Sequence, residues 1–474
     1  MEAMNASTRA LAFTVATTSL GFAVVQLDVT IVNVALPRIA DELGASLAWL
    51  QWVVDAYTLS FAVLLLSAGA LCDRIGARRA YAAGLAAFAL ASALCAFAPD
   101  VRWLVTARAL QGVGAALLLP SSLALLNAAC GDNGKARARA VAFWTAAGGV
   151  SIAAGPIAGG ILLTAFGWRS VFLVNIPICA AAIAFVMRQR VPISRHPARA
   201  FDIRGQLLAI VSLIALVGSI IEASSQHARP PIFVIGAAIT LLGAIAFRIV
   251  EARAEAPMFP LTLLARPGFA RAVLFGVAAN LTYYGIVFVL CLYLQQVRHY
   301  SALDTGLAYL PLTATFIVSN IASGALVSRS GTRTPMVAGA LIGAAGFVLI
   351  ARLDATSSFI QMLPGFTLVP FGMGLAVPAM TATVLASVDR SFAGTASGAL
   401  NAARQVGGAL GVAAFGALAS HMNLVTALQA AAASSAALMV VAALIAWGNQ
   451  PTVRGFIRLP GARAIAFVTR RGNP

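Results

Sequence analysis

Three ionisable side chains lie inside long apolar segments of the first half of this sequence: Asp28, Asp55 and Arg108. A carboxylate at the centre of a membrane costs about 2.5–3.5 kcal/mol on insertion scales, so it must be paired, hydrated or protonated. Because such a group can exchange a proton as its surroundings change, we predict that these residues form proton-coupling machinery. In this hypothesis Arg108 acts on Asp28 more strongly in one conformation than in another.

Each residue also has a structural interpretation that the sequence leaves open. Asp28 could serve only as a hydrogen-bonding residue, and Asp28 with Arg108 could form a permanent ion pair. Asp55 could lie hydrated near the outer interface. The first helix carries further polar residues roughly opposite Asp28, namely Gln26, Thr30 and Asn33. This helix is therefore polar on two sides, and only one side can face a cavity.

A polar stripe on the second apolar segment is a candidate substrate contact. Gln51, Asp55 and Thr58 follow i, i+4, i+7 spacing, which places them on one helix face. On this stripe Asp55 could take up protons or attract cationic substrates. We therefore predict that the stripe contributes to substrate binding.

The ninth apolar segment offers a second candidate substrate surface. Four of its side chains could line an aromatic cavity: Asn280, Tyr283, Tyr284 and Phe288. An ordinary helix–helix contact is the alternative. No Asp or Glu falls within a predicted span of the second half, so we expect proton coupling in the first half. The sequence leaves open whether Arg404 and Glu222 face a cavity.

The elements that must position these residues are membrane-spanning helices. The chain has 474 residues, of which 60% are hydrophobic and only 10% charged, whereas a soluble domain carries about 25% charged residues. Apolar stretches of about 20 residues, the length that crosses a bilayer, recur along the chain. They are continuous rather than alternating, which indicates helices. We predict an all-α polytopic membrane protein with spans near residues 11–34, 49–71, 79–98, 103–127, 139–164, 169–187, 205–222, 231–249, 270–295, 305–327, 335–352, 358–382, 395–419 and 425–447.

The positive charges support this count of fourteen spans. With the N-terminus inside, the inner segments hold 24 Lys and Arg residues and the outer segments hold six. The positive-inside rule then places both termini in the cytoplasm. With these spans, Asp28, Asp55 and Arg108 all lie in the outer half of one bundle.

Several other classes of function are disfavoured by the residues present. The net charge of +17 sits in short loops, so we expect no nucleic-acid partner. No Cys/His spacing typical of a metal site occurs. The four histidines fall in loops and no phosphate-binding loop motif is present, which argues against an enzyme or an ATP-driven pump.

An internal repeat defines the predicted architecture. The pattern G-A-L-x-x-R-x-G-x-R begins at Gly69 and again at Gly324, 255 residues later, on predicted inner loops. Parallel repeats of this kind are typical of transporters built from two six-span halves. The remaining pair of spans is predicted to be an insertion. The predicted domains are a first six-helix bundle (1–190), a basic linker with inserted helices 7 and 8 (191–265), a second six-helix bundle (266–447) and a basic cytoplasmic tail (448–474).

Small residues follow helical spacing in the fifth span. Gly148, Gly155 and Gly159 form a strip that lets another helix approach closely. Pro156 removes a backbone hydrogen bond and permits a bend. We predict a packed hinge that gates transport, with packing alone as the alternative. A similar strip is predicted in the thirteenth span at Ala396, Gly407, Gly408, Gly411 and Gly416.

Four motifs of the first half resemble those of the major facilitator superfamily, and specifically of its fourteen-span drug/proton antiporter family. They occupy residues 27–37, 69–79, 108–114 and 148–177. The inner-loop motif is general to the superfamily, while the glycine-proline motif of the fifth span is similar to the one associated with antiport. The resemblance covers the whole chain in length and span count, and it implies the major facilitator fold of two six-helix bundles.

The resemblance also implies a function. A protein of this family is a proton-coupled multidrug efflux antiporter that exports lipophilic, often cationic, drugs or toxic compounds by alternating access. The proton gradient is its energy source, and no cofactor is expected. The implied partners are a small lipophilic substrate, protons and the lipid bilayer, for a monomer in the cell inner membrane. The alternative is a dedicated exporter of one metabolite or lipid-like molecule, and a membrane-embedded enzyme is a remote one.

The resemblance gives the inner loop a role in the conformational cycle. Asp73, Arg74, Gly76 and Arg78 form a tight turn in which glycine permits the backbone conformation. Asp73 can pair with a helix end and so favour one conformation. The alternative is that the positive charges only hold the loop inside. Ser328 stands in the place of the aspartate in the second copy, which predicts a one-sided lock.

Overall fold

The computed structural model describes residues 2–131, 133–188, 202–223, 230–254, 261–388 and 393–448. Residues 191–201, 224–229 and 255–260 of the predicted linker and nearly all of the predicted tail therefore lie outside the described residues. Within the described residues the regular structure is helical throughout, in sixteen α-helices with one short 3-10 turn and one π turn. The predicted all-α fold class is confirmed.

The helices follow the predicted order of two sets around an inserted pair. The first set comprises α1 (Glu2–Leu43), α2 (Leu47–Ile75), α3 (Ala77–Ala96), α4 (Val101–Cys130), α5 (Gly134–Phe166), α6 (Ser170–Leu173) and α7 (Asn175–Arg188). The inserted pair comprises α8 (Ile203–Ala223) and α9 (Pro230–Arg253). The second set comprises α10 (Pro267–Leu292), α11 (Ala302–Ala308), α12 (Leu310–Ser330), α13 (Arg333–Ile350), α14 (Phe359–Ala386), α15 (Ala393–His421) and α16 (Leu424–Trp447).

In the part of the chain that the structure describes, thirteen helical segments are long and apolar enough to cross a membrane, and α5 makes fourteen as a bent span. The bend of α5 is 41° and separates Arg139–Ile152 from Ala154–Phe166. Pro156 lies just after this bend, where its missing amide hydrogen leaves the carbonyl of Ile152 without its helical donor. The predicted bend is therefore present, and its position fits the predicted cause.

One predicted boundary is wrong. The first span was expected to end near residue 34, but α1 continues to Leu43 through Pro37. The extension is held by polar contacts that hydropathy does not register. Arg38 Nε donates to Glu42 Oε1 at 2.7 Å, and Trp168 Nε1 donates to Glu42 Oε2 at 2.9 Å. Asp28 consequently lies fifteen residues before the end of α1 rather than about six.

The two sets of helices pack in the same pattern, as the repeat predicts. In the first set α1 packs on α5, and α4 packs on both α2 and α3; in the second, α10 packs on α15, and α14 packs on both α12 and α13. Gly76 and Gly331 end α2 and α12 with positive φ angles of 88° and 75°. Each donates its amide hydrogen to the carbonyl four residues earlier, at 3.0 Å. The repeated sequence thus forms the same backbone turn twice.

The two halves meet along two seams. On one seam α2 packs against α15, and on the other α5 packs against α11 and α12. The inserted helix α8 contacts both α2 and α15, and α9 packs on α8. Leu59, Val217, Ile221, Ala409 and Ala413 form a small apolar cluster where α2, α8 and α15 meet. The insertion therefore covers the outside of the α2–α15 seam.

Candidate functional site

A buried charge network lies inside the first half. Asp28 on α1 and Arg108 on α4 are 0% and 1% exposed. Arg108 Nη1 lies 2.5 Å from Asp28 Oδ2, and Arg108 Nε donates to the carbonyl of Val53 at 3.0 Å. The guanidinium also stacks on the ring of Tyr57, with 4.3 Å between Cζ and the ring centroid. The two residues that the sequence placed at similar depth are in direct contact.

Three further polar residues complete this network: Gln111 and Asn175, which lie within the family motifs but were given no role, and Ser92, which was not predicted. Gln111 Nε2 and Asn175 Nδ2 donate to Asp28 Oδ1 at 2.8 and 2.9 Å. Gln111 Oε1 accepts from Arg108 Nη1 at 2.6 Å, and its amide also donates to Ser92 Oγ at 2.9 Å. One signal was available, because Arg108 and Gln111 are three residues apart and so share a helix face. The network joins α1, α3, α4 and α7, and both oxygens of Asp28 accept hydrogen bonds.

Asp55 lies apart from this network, on the α2–α15 seam. Its side chain is 0% exposed, and neither carboxyl oxygen has a hydrogen-bond partner in the described residues. The residues one turn before and after it face α15. Gln51 Nε2 donates to the carbonyl of Ala413 at 2.8 Å, and Leu59 belongs to the apolar cluster with Ala409 and Ala413. Asp55 is thus a buried, unpartnered carboxyl group between the two halves.

A cleft lies between the halves in two connected parts that share Tyr284. The larger part has a cavity volume of about 70 Å³, and the smaller part about 20 Å³. The larger part is lined by Gln26, Gly149, Ile152, Ala279, Asn280, Tyr283, Tyr284, Thr313, Phe316, Met373, Val377 and Arg404. The smaller part is lined by Val29, Asn33, Val54, Tyr57, Thr58, Arg108, Tyr284, Gln405, Gly408 and Val412. Ligand pockets for drug-sized molecules have about 300–1,000 Å³, so the cleft must widen from this conformation to hold such a molecule.

The structure separates the predicted substrate residues into two groups. Asn280, Tyr283, Tyr284 and Thr58 line the cleft, as expected. The others do not: Gln51, Asp55 and Phe288. Gln51 is engaged with backbone carbonyls of α15, Asp55 is enclosed in the seam, and Phe288 is 0% exposed in the apolar core of the second half. These three residues therefore lie outside the cleft in this structure, and their contact with substrate stays a prediction.

The two-sided polarity of α1 is also explained. Gln26 and Asn33 line the cleft, while Asp28 points into the first bundle and meets Arg108. Thr30 lies against α5, where a β carbon on Gly155 would collide with its hydroxyl group. The cavity side of α1 is therefore the side opposite Asp28.

Arg404 faces the cleft, which the sequence had left open. Its Nε donates to Asn280 Oδ1 at 3.3 Å. A β carbon on Gly276 would lie 3.1 Å from Arg404 Cγ, so this glycine makes room for the arginine stem. Glu222 lines neither part of the cleft, and no Asp or Glu is among the lining residues.

The glycine strip of α5 packs closely on α1, as the spacing predicts. A β carbon on Gly148 would overlap Phe22, and one on Gly159 would lie 3.0 Å from Ile31. The opposite side of α5 meets the second half, where a β carbon on Gly160 would lie 2.7 Å from the carbonyl of Ala302. The same bent helix thus contacts both halves.

The predicted strip on α15 is also closely packed, against α10. β carbons on Gly407 and Gly411 would overlap the backbone of Val277 and Leu281, and one on Gly408 would lie 3.1 Å from Tyr284. Gly416 instead packs on Gln51 of α2, and Ala396 is 0% exposed. The strip therefore holds α15 against its own half and against α2.

The inner-loop residues lie at the end of α2 that the charge count predicts to be cytoplasmic. Arg78 Nη2 donates to the carbonyl of Met187 at 2.5 Å, which ties the start of α3 to the end of α7. Asp73 is half-buried and Arg74 is exposed. The role of these residues in gating stays a prediction.

Comparisons with known proteins agree with this architecture. Residues 18–412 match the family model described as Major Facilitator Superfamily. The chain is 35% identical over 437 residues to the methylenomycin A resistance protein of Bacillus subtilis, covering 90% of this chain and 92% of that protein. It is 36% identical over 403 residues to the multidrug resistance protein Stp of Mycobacterium tuberculosis, covering 85% and 75%.

A solved structure shows the same fold at low sequence identity. The human organic anion transporter MFSD10 (TETRAN) superposes with a TM-score of 0.62 at 16% identity, covering 92% of this chain and 99% of that one. The repeat, the paired helix packing, the central cleft and the match over most of the chain all agree: this multi-pass membrane protein belongs to the Major Facilitator Superfamily.

Proposed function

We propose that this protein is a proton-driven exporter of lipophilic small molecules, of the fourteen-span drug/proton antiporter type, working by alternating access. The observation that carries the proposal is the cleft between two repeat-related halves, bordered by a seam that encloses the unpartnered carboxyl group of Asp55. Relatives that cover most of the chain are named for resistance to methylenomycin A and to multiple drugs, which supports export of foreign compounds.

The cleft is closed on the side that the charge count predicts to be extracellular. There Gln295 Nε2 donates to the carbonyl of Val34 and Cys291 Sγ donates to that of Asn33, both at 3.0 Å, between α1 and the end of α10. On the second seam, a β carbon on Gly306 of α11 would overlap the carbonyl of Pro156 on α5. These contacts must break when the outer side opens, so the structure represents an outward-closed conformation in the proposed cycle.

Asp55 links the proton to this closure. A charged carboxylate without donors in a dry seam is strongly unfavourable, whereas the neutral acid is tolerated. Protonation of Asp55 therefore favours the closed seam, and loss of the proton favours separation of α2 from α15. A proton that binds from the outside closes the outer side. After the proton is released inside, the protein binds substrate and returns to the conformation that is open to the outside. This order of events exchanges protons for substrate across the membrane.

Asp28 has a different role in this conformation. Arg108, Gln111 and Asn175 all donate to its carboxyl oxygens, so hydrogen bonds hold the side chain in place within the first half. This hydrogen-bond network thereby connects four helices of the first half, which we propose move as one body during the cycle. Arg108 also reaches the smaller part of the cleft, where a substrate could disturb the pair.

The proposal carries further expectations about placement. We propose a monomer in the cell inner membrane with both termini in the cytoplasm, since the inner loops carry most of the positive charge. In this orientation the inner-loop turn at Gly76 faces the cytoplasm and serves the conformational cycle.

Transport in proteoliposomes under an imposed pH gradient tests the function. A panel of chemically unrelated lipophilic dyes and drugs should accumulate only while the gradient lasts. Transport that continues after the gradient is collapsed would refute proton coupling. Accumulation of a single compound from the whole panel would favour the dedicated exporter over the multidrug exporter.

A further inference from the structure

We propose that the cleft selects lipophilic molecules that carry an anionic group, such as a carboxylate, and that Arg404 binds this group. The inference rests on the proposed export function and names the substrate class of the same cleft. It differs from the expectation of often cationic substrates, which came from the family resemblance and from Asp55 as a residue that could attract cations.

The charge of the cleft lining supports this class of substrate. Among the described residues that line either part, the charged side chains are Arg404 and Arg108, and none is acidic. Arg108 is neutralised by Asp28 at 2.5 Å. Arg404 forms no ion pair with any described residue, and its one hydrogen bond to a described residue uses Nε. The cleft therefore has a net positive charge at Arg404.

The geometry of Arg404 suits an anion. Asn280 accepts from Nε and so fixes the plane of the guanidinium, while both Nη groups remain available to a ligand. A guanidinium held in this way presents paired donors that match the two oxygens of a carboxylate. Since Arg404 is half-buried between helices, little water screens its charge. A cationic ligand would be repelled by the same group.

The other residues that line the cleft indicate the chemistry of the rest of the substrate. Tyr283 and Tyr284 lie within the same part of the cleft as Arg404 and add hydroxyl groups near the charged end. Ile152, Phe316 and Met373 supply an apolar wall. The substrate that fits this arrangement has an apolar or aromatic body and a terminal acidic group.

A matched series of pyrene probes tests the charge preference. The probes are 1-pyrenebutyrate, the neutral 1-pyrenebutanol and the cation 1-pyrenebutyltrimethylammonium, which share one apolar body. Equilibrium binding to the full chain in lipid nanodiscs, with empty nanodiscs subtracted, needs no pH gradient. The wild-type protein should bind the butyrate about tenfold or more tighter than the alcohol, because a hydrogen-bonded charge pair contributes that much. The cation should bind weakest.

Two substitutions separate a charge effect from a folding effect. Arg404→Gln should weaken butyrate binding by about tenfold or more and leave alcohol binding unchanged, while Arg404→Lys should retain part of the preference. Asn280→Asp keeps the side-chain shape but supplies Arg404 with an internal partner, and it should abolish the preference as well. Arg271→Gln, which alters an arginine bound to the carbonyl of Gly448 outside the cleft, is the matched control.

The results distinguish this inference from the proposed function. If the cation binds as tightly as the butyrate, or if Arg404→Gln weakens all three probes equally, the anion preference is refuted. If dyes are then still accumulated under a pH gradient, the proposed export function holds although the anion preference does not. If butyrate binding depends on Arg404 but no compound is accumulated, the ligand class stands and proton-driven export is refuted.

Discussion

The two halves of this protein have the same helix packing but differ in the charged side chains that their helices carry. In the first half, the acids Asp28 and Asp55 and the base Arg108 are buried within helices. In the described spans of the second half the acid is Asp304, which is exposed in the first turn of α11, and no carboxylate lines the cleft beside Arg404. The shared packing shows that the repeat specifies the arrangement of the helices. The charged residues that differ between the halves give each half a different role. We infer that the first half carries the proton and the second half recognises the substrate.

The comparison predicts that removing the acid of the buried pair has the largest effect on stability. Asp28→Asn leaves Arg108 charged and buried without its counter-ion, which costs about 3–5 kcal/mol. Thermal unfolding in detergent should show a large loss of stability. The double variant Asp28→Asn with Arg108→Gln removes the unpaired charge and should recover much of it. Equal stability of wild type and Asp28→Asn would show that the pair does not hold the first half together.

A substitution in the glycine strip should have the next largest effect. Gly155→Ala forces a methyl group against the Thr30 hydroxyl and separates α5 from α1, at a cost of about 1–3 kcal/mol. Gly149→Ala on the same helix has open space around the new methyl group and is the stability control. Thermal unfolding of both variants measures the difference. Alanine raises helix propensity at both positions, so a stability of Gly155→Ala equal to that of Gly149→Ala would contradict close packing at Gly155.

The proposed closure by Asp55 can be followed through Cys291. This cysteine is 0% exposed and donates to the carbonyl of Asn33 at the contact between α1 and α10. Raising the pH removes the proton from Asp55 and opens the seam, so alkylation of Cys291 should accelerate, by at most about tenfold per pH unit. Peptide mass spectrometry identifies the modified cysteine among the five.

The control for this measurement is Asp55→Asn, which cannot lose a proton. The intrinsic reactivity of a thiol also rises with pH, because the thiolate is the nucleophile. The ratio of the wild-type rate to the Asp55→Asn rate removes this contribution. A ratio that does not change with pH would show that Asp55 does not control the outer contact.

The turns of the two repeat copies offer the smallest expected effect. Gly76 and Gly331 adopt backbone conformations that only glycine reaches easily, so an alanine at either costs about 1–2 kcal/mol. Gly76→Ala should also slow transport, because its loop carries the aspartate that Ser328 replaces in the second copy. Gly331→Ala should lower stability alone. Equal slowing of transport by both variants would contradict a one-sided lock.

The spans could be predicted from the sequence because hydropathy and loop charge depend directly on the membrane. The repeat predicted that the spans form two similar sets. Span order followed from apolar length, and the contact of Asp28 with Arg108 was consistent with their predicted depth. The error at the end of α1 arose where Arg38, Glu42 and Trp168 stabilise a polar helical extension. Apolar length carries no information about such contacts.

The faces of the helices were harder to predict. In a membrane both the lipid side and the packed side of a helix are apolar, so periodicity does not identify the cavity side. Phe288 therefore could not be distinguished from Tyr284, and Gln51 was assigned to substrate although it bonds to α15. Asn175, the partner of Asp28 on α7, lies 147 residues further along the chain, where helical spacing gives no signal. For the same reason, the sequence left open whether Arg404 faces the cavity.

The division of labour between the halves is tested most directly by comparing two transport modes in proteoliposomes. One mode is downhill exchange of 1-pyrenebutyrate without a gradient, and the other is its accumulation under a pH gradient. Our account predicts that Asp55→Asn retains exchange and loses accumulation, while Arg404→Gln loses both. Accumulation by Asp55→Asn at the wild-type level would contradict the account.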